Sequence, residues 1–183
     1  MSLTDQQLHI LAKKMSIPLE RVCFKDELSE HPLKYNVGYI INMENEYDEK
    51  GDYNDGSHWT CFQVNKYPNG KKEAIYFDSF GKIYPKAVEE YAGKMPYTTK
   101  DIQSAMNEAC GWYCLAFLHW INAYEGRQKH LYTDVENFME LFVDLETSAD
   151  WKQNEYMLKQ FFRSSDPALR KEIDVFADTN TIV

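Results

Sequence analysis

The sequence predicts an α+β fold, and three observations carry it. Residues 58–64 and 74–78 are short, apolar stretches that flank Pro68-Asn69-Gly70, a strong turn signal, so they read as an antiparallel hairpin. Residues 110–121, Cys-Gly-Trp-Tyr-Cys-Leu-Ala-Phe-Leu-His-Trp-Ile, are hydrophobic almost all round, as expected of a helix buried in the centre of a domain. The C-terminal third then shows apolar residues at helical spacing. At 183 residues, 44% of them hydrophobic, the chain has material for one sizeable core. One domain over residues 1–183 is expected.

The elements follow in order. Thr4 and Gln7 form a capping box ahead of Leu8, Leu11, Ala12 and Met15, which predicts a short amphipathic helix stopped before Pro18. Residues 37–43 read as a buried strand. Residues 44–57 are acidic and turn-rich, which predicts an exposed loop; their spacing does not fit a calcium loop. In the hairpin, a turn centred near Asn69 places His58 opposite Phe80 and Asp78 opposite Thr60. His58 and Asp78 then lie diagonally on one face, roughly 7 Å apart at the backbone. A register one residue different puts them on opposite faces.

Asn107 and Glu108 are capping candidates for the apolar helix, so Cys110 falls in or near its first turn. Thr133 and Glu136 suggest a second capping box ahead of Phe138, Leu141, Phe142 and Leu145. Met157, Leu158, Phe161 and Phe162 mark another apolar face. Asp166-Pro167 suits the start of a final helix, and residues 178–183 carry no packing pattern.

Composition narrows the function. A formal charge of -9 and a pI near 5.0 work against a surface that binds phosphate backbones, so nucleic acid is not an expected partner. No apolar run approaches the roughly 20 residues that span a bilayer. The N-terminus lacks a signal peptide's pattern, so a soluble, unsecreted protein is expected. Lys25-Asp26-Glu27-Leu28 spells a retention signal at an internal position, where it is not read. Cys23, Cys61, Cys110 and Cys114 are expected as reduced thiols rather than a disulfide framework.

Four polar residues then stand out in chain order: His58, Asp78, Gln103 and Cys110. A thiol, an imidazole, a carboxylate and an amide are the groups that nucleophilic cysteine catalysis needs. At the start of a helix, unsatisfied N–H groups and the positive end of the dipole stabilise a thiolate. Gly111, with no side chain, lets a substrate backbone approach the sulfur. Trp59 reads equally as a core residue and as a shield beside the imidazole. Cys110 and Cys114 share a helical face, but no second Cys or His pair completes a zinc pattern. Cys23, in an N-terminal connector, and Cys61 and Cys114 are expected as packing residues, and His9, His31, His119 and His130 carry no catalytic expectation.

His58-Trp59, Phe77-Asp78-Ser79-Phe80-Gly81, Gln103-Ser104 and the run Asn107-Glu108-Ala109-Cys110-Gly111-Trp112-Tyr113-Cys114 together resemble the adenovirus maturation protease family, the adenain-like cysteine proteases. The similarity is nearest to relatives in virophages and Maverick/Polinton-type elements and covers roughly residues 4–125. It implies a papain-like layout of the adenain type, with a central nucleophile helix on a mostly antiparallel sheet. It further implies Cys110 as nucleophile, His58 as general base and acid, Asp78 as the orienting carboxylate, and Gln103 as oxyanion donor beside the Cys110 N–H. Trp59 and Gly111 are the candidate substrate-binding residues.

The activity so implied is endopeptidase cleavage of viral capsid or scaffold precursors during particle maturation, in the virion and host-cell cytoplasm, by a monomer that requires no metal or other cofactor. Family members use peptide and DNA activators; the net charge leaves the peptide as the expected one. A protease of ubiquitin-like modifiers shares the residue order, but those enzymes usually carry Asp where this chain has Ala109. A catalytically silent binding module of the same fold is the remaining alternative.

Overall fold

Thr4 caps the first helix reciprocally: its hydroxyl accepts from the Gln7 N–H at 3.2 Å, and the Gln7 carboxamide accepts from the Thr4 N–H at 2.9 Å. Helix α1 (Asp5–Lys14) therefore starts where the capping box puts it, and Leu8, Leu11 and Ala12 face inward. The structure, a computed structural model, describes residues 3–123, 130–145 and 150–165.

A four-stranded mixed sheet follows, in the order β1 (Leu19–Phe24), β2 (Gly38–Asn42), β3 (Trp59–Lys66) and β4 (Lys72–Phe77). The pairings of β2 with β3 and of β3 with β4 are antiparallel, whereas β1 runs parallel to β2. Cys23, expected in a connector, lies on this parallel edge strand. Glu20 and Arg21 break its apolar pattern, and most of its positions are only half-buried, so pairing rather than burial makes it a strand. Between β1 and β2 the chain crosses over through a 3-10 helix (Lys25–Glu30).

In the hairpin, Cys61 pairs with Phe77 and Lys66 with Lys72, the register expected from the turn. Gly70 makes that turn possible. Its φ of 83° lies in the left-handed region, and its N–H closes on the Tyr67 carbonyl at 2.9 Å.

Both faces of the sheet are covered. On one face Ile40, Trp59, Cys61, Ile75 and Phe77 pack against α1 and against α3 (Cys110–Asn122), α4 (Leu131–Glu140) and α5 (Asp150–Ser165). On the other, Tyr39, Ile41, Phe62, Val64 and Tyr76 pack with Leu28, with Val88 of α2 (Lys86–Ala92) and with Met95. This alternation follows from the period of two along a strand. Phe117 of α3 lies stacked on Phe77 at 4.5 Å, and nine residues of α3 are buried, as its all-round apolarity requires. Beyond α2, residues 96–98 run beside β4, with Tyr76 bonded to Pro96 and Thr98, and so screen the sheet edge.

Helix α4 begins two residues before the expected box, with His130 as an N-cap that makes no side-chain capping bond. Leu131, Val135 and Phe138 set the start: the buried stripe already begins at Leu131, which places Thr133 inside the first turn. Leu145, expected on the same helix, lies past its end and donates to the Asp101 carbonyl at 2.9 Å. On α5, Leu158 and Phe162 are buried and Met157 and Phe161 partly so. The expected helix at Asp166-Pro167 and the tail at 178–183 lie outside the described residues. Among the described residues no helix is long and apolar enough to cross a membrane.

Candidate active site

The hairpin's open end and the start of α3 meet. Asp78 follows β4 and enters a turn in which the Gly81 N–H bonds the Asp78 carbonyl at 2.9 Å. Gly81 has a φ of 66°, and a Cβ there would stand 2.4 Å from the Thr99 carbonyl oxygen, so only glycine fits. The turn aims the Asp78 carboxylate: Oδ1 accepts from the Phe80 N–H and from His58 Nε2, each at 2.8 Å. Asp78 is itself buried.

His58 precedes β3, its ring stacked on Phe80 at 4.5 Å and its side chain only 15% exposed. Nε2 is engaged by Asp78, which leaves Nδ1 as the other ring nitrogen, and the Cys110 thiol is a neighbour of the ring. Burial works against charge on this ring, but the bond to Asp78, the neighbouring Cys110 sulfur and the negative charge of both outweigh it. The imidazole is raised to about 9 from its ordinary 6.5. A protonated ring beside the thiol is thus favoured at neutral pH.

Cys110 is the first residue of α3 and is buried, with Ala109 as N-cap. The Trp59 main-chain N–H donates to Sγ at 3.4 Å. Sulfur therefore has the Trp59 N–H, the His58 ring and the start of the helix around it. Neither Asn107 nor Glu108 is the N-cap. Asn107 instead accepts from the Ala109 N–H at 3.3 Å and so shapes the backbone one residue earlier.

Gln103 is buried in the segment before α3. The Ser79 hydroxyl donates to its Oε1 at 2.7 Å, and its Nε2 donates to the Asn107 carbonyl at 3.0 Å. The amide orientation is set by this pair of bonds, and Nε2 keeps a second hydrogen. Ser79, adjacent to Asp78, was not singled out in the sequence; its place in the Phe77-Asp78-Ser79-Phe80-Gly81 run was the available signal.

The two candidate substrate-binding residues have packing roles. The Trp59 indole is buried and donates to the Leu3 carbonyl at 2.8 Å, while its main-chain N–H faces the Cys110 sulfur. A side chain on Gly111 would meet Leu3 and Leu8 at 3.2 Å, and its absence admits the N-terminal segment against α3.

The other three thiols are also buried. Cys114 is buried, and desolvation together with its neighbour Cys61 pushes its thiol up. Cys23 lies on β1 rather than in a connector, and burial with Glu27 nearby raises it to about 12. Of the remaining histidines, His9 and His31 are exposed, His130 begins α4, and His119 bonds the Met15 carbonyl at 3.1 Å. Among the described residues no three His, Cys, Asp or Glu side chains converge in a metal-binding group.

A cavity of about 370 Å³ opens beside the site, between the start of α1 and the acidic loop. Trp59 and Ser57, which flank His58, form part of its wall, with Asp5, Glu27, Glu46 and Asp55 on its other sides.

The chain matches no protein-family model and no curated protein sequence.

Proposed function

We propose that this chain is a cysteine endopeptidase of the adenain-like kind, which cleaves viral capsid or scaffold precursors during particle maturation. The observation that carries the reading is the His58 ring, bonded to Asp78 at 2.8 Å and neighbouring the Cys110 thiol at the start of a buried helix.

In the mechanism, Cys110 passes its proton to His58 Nδ1 and the thiolate attacks the scissile carbonyl carbon. The carbonyl π electrons move to oxygen, and the oxyanion receives the free Nε2 hydrogen of Gln103 and the Cys110 N–H. As the C–N bond breaks, His58 gives its proton to the leaving amine. Water then attacks the thioester, His58 takes one of its protons, and the carboxylic acid leaves as the thiol is restored. Asp78 fixes the ring so that Nε2–H faces the carboxylate throughout. None of these steps uses a metal or other cofactor. A peptide activator and a place in the virion and the infected cell's cytoplasm belong to the same reading.

Incubation with a capsid precursor tests it. Wild-type chain yields discrete products, and Cys110→Ala yields none while keeping its fold by circular dichroism. Undiminished cleavage by Cys110→Ala overturns the reading. Release of a modifier tail from a conjugate, without action on the precursor, reassigns the substrate to ubiquitin-like modifiers.

A further inference from the structure

The segment that carries Gln103 into α3 is exposed in its middle, where Ala105 is open and Met106 is 94% exposed, yet it is held firmly at both ends. Two adjacent residues of α5 do the holding. Asn154, fully buried, donates through Nδ2 to the Ile102 carbonyl at 3.0 Å, on the near side of Gln103. Glu155, 5% exposed, accepts through Oε1 from Asn107 Nδ2, on the far side.

Asn107 is the hub. Its carbonyl takes the Gln103 Nε2–H, its Oδ1 takes the Ala109 N–H, and its Nδ2–H goes to Glu155. All three bonds bear on the oxyanion apparatus: the Gln103 amide on one side, the turn into Cys110 on the other. Asn154 is itself fixed, because its Oδ1 accepts from the Val143 N–H at 2.8 Å and its Nδ2 donates to the Val143 carbonyl at 2.7 Å. Burial of Glu155 raises its carboxyl above the ordinary range, with the Asn107 bond and Lys159 pulling the other way. Burying a carboxylate here costs stability that a neutral residue would not cost. A role in holding Asn107 accounts for that cost.

We propose that Asn154 and Glu155 are positioning residues: α5 sets the Gln103 carboxamide for the oxyanion by clamping Ile102 and Asn107 on either side of it. This rests on the cysteine-protease reading. It extends the catalytic apparatus to a helix beyond the segment that resembles the adenain-like enzymes.

Two reagents acting on the same thiol in the full chain separate positioning from general damage. Acylation of Cys110 by p-nitrophenyl acetate passes through a tetrahedral oxyanion; alkylation by chloroacetamide is a direct displacement and does not. Glu155→Ala should slow acylation about tenfold and change alkylation by less than about twofold, because a displaced donor affects only the step that needs it. Glu155→Gln, which keeps an acceptor for Asn107, should stay within about threefold of wild type in both reactions. In a Gln103→Ala background, Glu155→Ala should slow acylation by much less than it does in wild type, since the two residues act largely as one unit.

Equal slowing of both reactions, or losses that add with Gln103→Ala, would overturn the proposal and leave the protease reading standing. Wild-type Cys110 reacting with both reagents no faster than a free thiol would overturn the protease reading, and the proposal with it.

Discussion

Asp78 Oδ1 accepts from the Phe80 N–H and from His58 at the same 2.8 Å, so a single oxygen sets both the turn and the ring. Replacing Asp78 with Asn puts an amide where the ring N–H needs an acceptor, or turns the ring to its other tautomer. The expected result is a fall in the His58 pKa and slower alkylation of Cys110, read by NMR titration of the ring and by chloroacetamide kinetics. His58→Ala should slow peptide cleavage about 100-fold or more, the usual worth of a general acid-base.

The pH dependence of stability follows from the same ring. Its folded value, about 9, is above its ordinary 6.5, so folding favours the protonated form. The stability it contributes is fully present below about pH 6.5 and is lost as pH rises through about 9. Urea unfolding of wild type and His58→Ala at a series of pH values should show this decline in the first and not in the second. A decline of the same size in both would assign it to other groups.

At the scale of the element, the hairpin and α3 deliver the site. The His58–Asp78 pairing was legible because Pro68-Asn69-Gly70 defines the turn, and the turn determines which residues face each other ten positions away. The position of Cys110 at a helix start was legible from the abrupt change to an all-apolar run. Strand β1 was not, because an edge strand held by main-chain pairing needs no apolar alternation; α2, of seven residues, has too few turns to show a period. The cap of α3 was not legible: Asn107 has the right chemistry, but its Oδ1 accepts from the Ala109 N–H, ahead of the helix.

Gly81 supplies the test at this scale. Gly81→Ala forces a Cβ toward the Thr99 carbonyl at a positive φ, and should destabilise the fold by about 1–3 kcal/mol in urea unfolding. Because that turn aims Asp78, the same variant should also slow Cys110 alkylation.

Across the whole molecule, the N-terminal segment, α4 and α5 gather around α3 and the segment that leads into it. Leu3 and Leu8 occupy the space beside Gly111, and the Leu3 carbonyl holds the Trp59 indole. From the other side, Lys100 donates to the Met139 and Phe142 carbonyls at the end of α4, while Asn154 and Glu155 of α5 hold Ile102 and Asn107. These long-range contacts left no local signal in the sequence, since each joins residues whose neighbours look like ordinary loop or helix surface. Asn154→Ala would leave the Ile102 and Val143 carbonyls and the Val143 N–H without this partner, and should cost about 1–3 kcal/mol in urea unfolding.

These segments are proposed to assemble a peptide-cleaving thiol at Cys110. The most direct test is digestion of a proteome-derived peptide library, with the new N-termini identified by mass spectrometry, for wild type and Cys110→Ala side by side. A recurring junction cut by wild type alone is expected. The same junction appearing with Cys110→Ala, or no new termini with either chain, would contradict it.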